Sequence, residues 1–387
     1  MIRYLIWLQL CLGYATTRAI KAIKYFGNAE SIYNATKEMR EKSGCFTKSE
    51  LKKLSCVSIS KADEIIEQCR KNDIKTIGYR ESEYPYSLSV LEDAPLVIYV
   101  KGDLPTLEEI PTICIVGPRK VSDEGRIAAY SLSFRLAAAG FTVISGGALG
   151  CDTYAHAGAL KASGKTVLCL GCGILSDYLP ENAPLREAVL QNGCLISEYP
   201  PYVNASRYTF PQRNRIMSAL SLSTVVVEAP LKSGALITAR HALEQGREVF
   251  VIPGPINNPQ FEGSNALLRD GARPLLSTMD IFGEYIYRFP DKIDIEKAFL
   301  KSPIDKKPLK SPQKQTDIKN LQKKQKNLPE TLSKNAKIVY NHLDKQKFLP
   351  EDISVESLSD TELISALTEL EMEFLIRAIP GGMYELV

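Results

Sequence analysis

The sequence contains little of what several large classes of protein need. Its 387 residues include three histidines, so few side chains are available for histidine-based catalysis or metal binding. No apolar run reaches the length of a membrane span, because the run at residues 4–12 is too short and continues into a helical pattern. Nine cysteines, an odd number spread along the chain, predict reduced thiols in the cytoplasm instead of a secreted disulfide scaffold.

An excess of charge of one sign is also missing. The chain has 48 basic and 45 acidic residues, a formal net charge of +3, so the total does not identify a class of partner. Apolar residues make up 44% and charged residues 24%, values typical of folded globular proteins. The length predicts two to three domains, and the sequence pattern changes near residues 80, 288 and 329.

Residues 1–80 have apolar side chains at helical spacing, and we predict a small helical module there. Modules of this kind, such as SAM or helix-hairpin-helix modules, serve either as DNA binders or as interaction domains. No clear Gly-x-Gly hairpin joins a pair of helices, which favours the interaction domain.

Residues 81–288 are organised differently, as short β-rich runs that alternate with helical stretches. The predicted strands are residues 113–116, 142–145, 166–170, 194–197, 224–227 and 248–252. This alternation predicts an α/β fold, Rossmann-like, with a mostly parallel sheet covered by helices on both faces. Ligands of such sheets bind beyond the carboxyl ends of the strands, so the loops there are the candidate site.

The rest of the chain divides into two segments of opposite charge. Residues 289–329 are predicted to be a flexible basic linker, because residues 291–327 contain eleven lysines and five acidic residues. Residues 330–387 show helices followed by two strands, which predicts a winged-helix domain. That domain contains eleven acidic and five basic residues and would repel phosphates, so we expect it to contact protein instead of DNA.

Two loops at the predicted carboxyl edge place glycine beside groups that suit an anion. Gly117 and Arg119 follow the first predicted strand, and arginine presents a planar fork to a phosphate or a base edge. Ser145, Gly146 and Gly147 follow the second, just before a predicted helix, where successive amide groups favour an anion. We predict an anion site at the second loop; the alternative is a tight turn without a ligand.

A third loop combines charge with stacking surfaces. Arg213, Asn214 and Arg215 follow aromatic residues after the fourth predicted strand, a mixture that suits single-stranded nucleic acid. We expect at least one of the two arginines to pair inside the fold instead, with Glu198 or Glu228 as its partner.

After the fifth predicted strand, Ser233 and Gly234 open a helix and form a second amide cluster. A catalytic constellation is harder to assemble. His156 lies in the helix after the glycine-rich loop, where a lone histidine is more typical of packing or hydrogen bonding than of base catalysis. We therefore predict no catalytic residue and a protein that is not an enzyme.

Three apparent cofactor or metal motifs do not fit their patterns. The glycines at residues 146–150 lack Gly-x-Gly-x-x-Gly spacing, which argues against NAD binding. The Gly-Lys-Thr at residues 164–166 precedes a predicted strand instead of following one, which argues against an ATP-binding P-loop. Cys169 and Cys172 have no second pair to complete a zinc site. We predict neither a cofactor nor a metal.

Taken together and in order, the motifs of residues 84–276 resemble the DNA-processing protein A family, DprA or Smf. The segments that carry the resemblance are residues 84–85, 93–95, 99–102, IVGPR at 115–119, SGGALGCD at 145–152 with His156, FPQRNRI at 210–216, VVEA at 226–229, SGALIT at 233–238 and PG at 253–254.

This resemblance implies an extended Rossmann domain that binds single-stranded DNA, forms a homodimer and loads the RecA recombinase in natural transformation or homologous recombination. It implies that Arg119, residues 145–147 and residues 213–215 contact DNA. The sequence departs from the family pattern at Pro118, which removes an amide donor beside Arg119, and at residues 178–180, where a leucine separates tyrosine from proline.

Two alternatives belong to other functional classes. One is a nucleoside-monophosphate glycosidase, a Rossmann-like enzyme that carries a glutamate on the helix after a glycine-rich turn. Residues 234–240 contain no carboxylate, which leaves Glu228 and Glu244 as candidates. The other is a nucleotide or nucleotide-sugar sensor that uses the same amide cluster without DNA.

Overall fold

The computed structural model describes residues 1–300, 332–343, 347–350, 353, 358–372, 375–379 and 383–386. The chain divides into two compact units, Met1–Pro308 and Leu309–Val387. Most of the predicted basic linker, residues 301–329, lies outside the described residues.

The first part of the chain is helical, as predicted. Within residues 1–74 the helices are α1 (Ile2–Leu12), α2 (Thr17–Phe26), α3 (Ala29–Asn34), α4 (Lys37–Lys42), α5 (Lys48–Cys56) and α6 (Ser60–Lys71). A capping box starts α5: the Glu50 amide donates to the Thr47 hydroxyl at 3.3 Å, and the Thr47 amide donates to the Glu50 carboxylate at 2.7 Å. Ile6, Trp7 and Leu8 of α1 are fully buried, so α1 is a core helix.

Within residues 1–300, nine strands form one sheet. They are β1 (Lys75–Gly78), β2 (Val97–Gly102), β3 (Thr112–Val116), β4 (Thr142–Ser145), β5 (Thr166–Cys169), β6 (Gly193–Ser197), β7 (Ser223–Val226), β8 (Glu248–Val251) and β9 (Arg273–Pro274). Their order is β1-β2-β6-β5-β4-β3-β7-β8-β9. Strands β3 to β9 pair in parallel, whereas β2 pairs antiparallel with β6 and with β1. Each of the six predicted strands is present, and its first and last residues lie within one position of those predicted. The predicted α/β fold is confirmed.

Helices cover the two faces of this sheet. Those of residues 81–300 are α7 (Tyr86–Ser89), α8 (Asp123–Ala138), α9 (Cys151–Lys161), α10 (Ala183–Asn192), α11 (Thr209–Ala219), α12 (Gly234–Glu244), α13 (Glu262–Arg269), α14 (Thr278–Tyr285) and α15 (Ile295–Leu300). Successive strand residues belong to different cores: Cys114 and Val116 of β3 belong to one buried cluster, and Ile113 and Ile115 to the other. The sheet is therefore buried on both sides, as its apolar strands predict.

Two predicted segment limits differ from the structure. Strand β1 lies within residues 1–80 but is an edge strand of the sheet, and the Gln9 side chain of α1 donates to the Glu198 carbonyl at 3.1 Å. The N-terminal helices therefore share a core with the sheet. Helix α15 occupies residues assigned to the flexible linker and packs against α8, with Ala298 fully buried. The linker prediction is wrong for these six residues, because they form a helix that packs against α8 through the buried Ala298.

The strand order places a switch point at β3. From β3 the chain proceeds through β4, β5 and β6 on one side, and then returns to build β7, β8 and β9 on the other. The loops after β3 and β7 consequently diverge at the carboxyl edge and leave a crevice between them, which is where open parallel sheets bind ligands.

The second unit has its own small core. Its described elements are α16 (Lys334–Asn341), β10 (Lys347–Phe348), α17 (Asp360–Met372), β11 (Ile376–Ile379) and β12 (Met383–Leu386), and the strands form an antiparallel sheet in the order β10-β12-β11. Val339, Leu367 and Leu370 are among its buried residues. The two predicted strands are β11 and β12, the turn between them lies outside the described residues, and the winged-helix assignment stays a prediction.

No helix in the described part of the chain combines the length and the apolar composition that crossing a membrane requires.

Candidate functional site

The crevice at the switch point has a volume of about 290 Å³ and is formed by the loops after β3, β4 and β7 with helices α11 and α12. Six of the ten predicted site residues line it: Gly117, Arg119, Arg213, Asn214, Ser233 and Gly234. The other four, Ser145, Gly146, Gly147 and Arg215, lie outside its lining.

An arginine and two aromatic rings form one side of the crevice mouth. Arg119 is exposed and donates from Nη2 to the Tyr178 hydroxyl at 3.1 Å. Its guanidinium carbon lies 5.3 Å from the centre of the Phe210 ring, and the Phe210 and Tyr178 rings are 5.0 Å apart. The extra leucine in residues 178–180 therefore leaves Tyr178 in contact with Arg119. A cation held over a ring, with more aromatic surface beside it, matches a phosphate next to a base.

The glycine-rich loop after β4 already holds an anion of its own. The Asp152 carboxylate accepts a hydrogen bond from the Ala148 amide at 3.2 Å. Burial raises the pKa of Asp152, while the nearby Arg213 guanidinium and this hydrogen bond act in the opposite direction. The predicted external anion site at residues 145–147 is wrong, because all three residues are buried and none of them lines the crevice.

Arg213 lies beneath the crevice and is almost fully buried. Its Nη1 donates to the Gly146 carbonyl at 2.7 Å and to the Cys169 carbonyl, and its Nε donates to the Asn214 side chain at 3.2 Å. The Asn214 amide in turn donates to the Gly234 carbonyl at 3.3 Å. Arg213 and Asn214 therefore form the floor of the crevice. Their hydrogen bonds link α11 to the carboxyl ends of β4 and β5 and to the start of α12.

Arg215 points into the core on another side of α11. Its Nη2 lies 2.6 Å from the Glu198 carboxylate and its Nε lies 3.2 Å from that of Asp93. The Arg215 side chain is 4% exposed, so it has no surface to offer a ligand. The prediction that Arg215 binds the ligand is wrong. Arg215 instead forms an internal ion pair with Glu198, one of the two partners that the sequence predicted for one of these arginines.

Two side chains that could act as a general acid or base form hydrogen bonds inside the fold. The Glu228 carboxylate is fully buried and accepts hydrogen bonds from the amide and hydroxyl of Ser122, the N-cap of α8. His156 is also fully buried, and its Nδ1 donates to the Thr166 hydroxyl at 2.8 Å, since that hydroxyl itself donates to a backbone carbonyl. Burial lowers the pKa of His156 to about 3, so the ring is neutral at ordinary pH.

The second predicted amide cluster does face open space. Ser233 is the N-cap of α12 and accepts from the Ala235 amide at 3.3 Å. A side chain at Gly234 would meet no heavy atom within 4 Å, whereas one at Gly146 would overlap the Arg213 guanidinium. The start of α12 is therefore the amide cluster that a ligand in the crevice can approach.

Exposed charges around the crevice complete a positive, aromatic surface. Lys232 lines the crevice, Lys120 follows Arg119, and both side chains are exposed. Arg207 lies 4.7 Å from the centre of the Tyr208 ring, which is 64% exposed, just before α11. None of these basic residues is among the predicted site residues, although the Arg207-Tyr208 pair shortly before the FPQRNRI segment was a signal.

The cysteines form no disulfide within residues 1–300, the described range that contains all nine. Cys169 and Cys172 are buried, and each of the nine is a free thiol. No cluster of three or more His, Cys, Asp or Glu side chains that suits a metal ion occurs in the part of the chain that the structure describes.

Comparison with known proteins identifies the family. The model of the DNA recombination-mediator protein A family matches residues 75–286, from β1 to the end of α14. The chain belongs to this family. The resemblance seen in the motifs is confirmed, and the matched range contains all the elements that form the crevice.

Two relatives are at least 35% identical to this chain over the aligned residues. DNA processing protein DprA of Bacillus subtilis is 37% identical over 224 residues, 58% of this chain and 75% of that protein. Protein Smf of Escherichia coli is 35% identical over 306 residues, 78% of this chain and 75% of that protein.

Two solved structures of family members match as well. The X-ray structure of DprA from Streptococcus pneumoniae has a TM-score of 0.65 and 28% identity, and the match covers 73% of this chain and 98% of that one. A structure reported for the single-stranded DNA binding mode of DNA processing protein A from Helicobacter pylori has a TM-score of 0.51 and 28% identity, covering 56% and 96%.

Proposed function

We propose that this protein binds single-stranded DNA along the carboxyl edge of its sheet, across the crevice mouth. The observation that carries the proposal is the cluster of Arg119, Phe210 and Tyr178, in which a guanidinium lies beside two partly exposed rings at the switch point. Unpaired bases stack on such rings in a sequence-tolerant way, and the phosphates between them need cations. Family membership and the Helicobacter pylori relative support the same ligand.

Basic residues on both sides of this cluster extend the path for a strand. Lys120 and Lys232 are exposed near the crevice, and Arg207 and Tyr208 form a second cation–aromatic pair before α11. In the proposed complex the backbone follows these charges, bases stack on Phe210 and Tyr208, and the open N-terminus of α12 at Gly234 approaches a phosphate.

The direct test is fluorescence anisotropy with labelled oligothymidylate, an unpaired strand, against a duplex of equal length. We expect tight binding of the oligothymidylate that weakens steeply with salt, and weaker binding of the duplex, whose stacked bases cannot reach the rings. Equal affinity for both, or no binding at low salt, would contradict the proposal.

We further propose that the protein acts without breaking covalent bonds. Support comes from the candidate acid–base groups: Glu228 is held by Ser122, Asp152 by the Ala148 amide, and His156 by Thr166. The test is incubation with nucleoside monophosphates and analysis for free base. Release of base that disappears in Glu228→Gln would favour the glycosidase alternative.

The cellular role we propose is protection of single-stranded DNA and loading of the RecA recombinase in the cytoplasm, in transformation or homologous recombination, by a homodimer. The family's description as a recombination mediator supports this role. It is tested by RecA filament assembly on DNA coated with a single-strand-binding protein, and by sedimentation of the purified chain. If the protein does not stimulate RecA filament assembly, the loading role is contradicted. If it sediments as a monomer at all concentrations, the homodimer is contradicted.

A nucleotide sensor remains the second candidate because the crevice, at about 290 Å³, is close to the roughly 300 Å³ lower limit of small-ligand pockets. Calorimetric titration separates the two functions. A DNA binder gains affinity with oligonucleotide length as more phosphates and bases make contact, whereas a sensor binds a mononucleotide as tightly as an oligonucleotide.

A further inference from the structure

A second cavity lies at the opposite edge of the sheet, where the parallel strands begin. Its volume is about 180 Å³, and Thr112 at the start of β3 and Leu222 just before β7 line it. The DNA site proposed above lies at the carboxyl ends of the same strands, so the two cavities are on opposite edges. Nothing in the proposed function uses this second cavity.

Two guanidinium groups line this amino-edge cavity without a carboxylate partner. Arg247, just before β8, donates from Nη2 to the Ala219 carbonyl at 3.3 Å, while its Nε is buried and has no hydrogen-bond partner. Arg288 is exposed and lies over the Phe289 ring at 5.3 Å. Among the described residues, neither arginine forms an ion pair.

The two arginines also act on each other. Burial lowers the pKa of Arg247, and the positive charge of Arg288 lowers it further. Two cations that face the same cavity disfavour each other unless an anion lies between them, and a buried donor without an acceptor costs free energy. The lining of the cavity therefore holds two guanidinium groups against one carboxylate, that of Glu108.

A neighbouring side chain adds a further unmatched donor. The Ser87 hydroxyl lines the cavity, is buried and has no hydrogen-bond partner. Glu108 also lines the cavity, but its carboxylate accepts hydrogen bonds from the Tyr86 amide at 2.6 Å and the Ser87 amide at 3.4 Å. The Glu108 carboxylate thus holds the start of α7, and the two guanidinium groups still outnumber it in the lining.

We propose that the amino-edge cavity binds a free oxyanion of the phosphate class, with Arg247, Arg288 and Ser87 as donors. Arginine suits a tetrahedral oxyanion because its planar fork donates two parallel hydrogen bonds. The size of the cavity, about 180 Å³, lies well below the roughly 300–1,000 Å³ of pockets for larger ligands. The site therefore admits phosphate itself and excludes a nucleotide.

Calorimetric titration of inorganic phosphate into the full-length protein, saturated with oligothymidylate, tests this site apart from the DNA site. We expect phosphate to bind the wild type, and the dissociation constant to rise about tenfold or more in Arg288→Ala, which removes a charged donor. Ser87→Ala is expected to weaken binding less. Arg70→Ala, which removes an exposed arginine on α6, is the matched control and is expected to bind phosphate like the wild type.

Arg288 is exposed, so its substitution leaves the fold intact, and an unchanged circular dichroism spectrum verifies this. Thymidine monophosphate in place of phosphate is expected to give no heat. The proposal is overturned if wild-type protein does not bind phosphate, if Arg288→Ala binds it equally well, if Arg70→Ala abolishes binding, or if the mononucleotide binds at this cavity. None of these outcomes bears on whether the protein binds DNA.

Discussion

The guanidinium of Arg215 lies 2.6 Å from the carboxylate of Glu198, and both side chains are buried. Arg215 belongs to α11, and Glu198 directly follows β6. The pair therefore fixes the helix that carries Phe210, Arg213 and Asn214 relative to the carboxyl edge of the sheet. A buried pair of this kind is costly to break from one side, because the remaining charge stays in a low-dielectric environment.

Glu198→Gln is expected to lower the free energy of unfolding by about 3–5 kcal/mol, because it leaves the buried Arg215 charge with Asp93 alone. Equilibrium urea denaturation measures the change. The matched control is Glu67→Gln, which breaks an exposed pair with Arg70 at 3.1 Å on α6 and should change stability little. Similar effects of the two substitutions would show that the buried pair does not anchor α11.

Arg119→Ala is expected to weaken oligothymidylate binding without changing the melting temperature, because the side chain is exposed and belongs to a loop. Loss of one phosphate contact should reduce the slope of log affinity against log salt concentration by about 0.7. Arg70→Ala, an exposed arginine on α6, is the control and should keep the wild-type slope. A large decrease in melting temperature for Arg119→Ala would assign the residue a structural role.

Phe210→Ala tests the stacking surface separately from the charges. We expect a loss of about 1–3 kcal/mol in oligothymidylate affinity, the usual contribution of one stacked base, with the salt slope unchanged. Tyr25→Ala removes another exposed ring, on α2 and 63% exposed, and should leave affinity unaltered. Both variants are compared by anisotropy at several salt concentrations, and an unchanged affinity for Phe210→Ala would exclude stacking on this ring.

Two glycine substitutions distinguish the two amide clusters. Gly146→Ala places a methyl group on the Arg213 guanidinium and displaces it from its carbonyl acceptors, at an expected cost of about 1–3 kcal/mol in stability. Gly234→Ala meets open space and should keep full stability, but it should weaken DNA binding because the added methyl group occupies the crevice. Thermal unfolding and anisotropy measure the two effects. Unchanged DNA binding by Gly234→Ala would show that no phosphate lies at the N-terminus of α12.

His156 predicts a specific pH dependence of stability. Its pKa is about 3 in the folded state, against about 6.5 when unfolded. Between these values the unfolded chain binds a proton that the folded chain does not, so the free energy of unfolding falls by about 1.4 kcal/mol per unit decrease in pH. In His156→Gln this contribution should vanish. Urea denaturation of the wild type and of His156→Gln at several pH values below about 6.5 measures this contribution. If the free energy of unfolding changes equally with pH in both proteins, the low pKa of His156 is contradicted.

The strands of the central sheet could be predicted because their residues are nearly all apolar, a pattern that only burial on both faces favours. Strands β1, β2 and β9 are missing from the prediction. β1 has only two buried residues and β9 is two exposed residues long, so neither has this pattern. β2 begins with four buried apolar residues, a signal that the prediction did not use. In the site, Asp152 occupies the second position of α9, where a carboxylate commonly satisfies helix N-terminal amides. That position was the available signal that the glycine-rich loop holds its own anion.

By itself, the sequence determined the parallel sheet, the edge at which the site lies and the family, because apolar periodicity and motif order are properties of the chain alone. Only the tertiary structure decided which arginines face solvent. Arg213 and Arg215 are two positions apart on one helix, and the packing of that helix against the sheet buries both, while Arg119 stays at the surface. Burial depends on neighbours that are distant in the chain, and local residue types do not specify them.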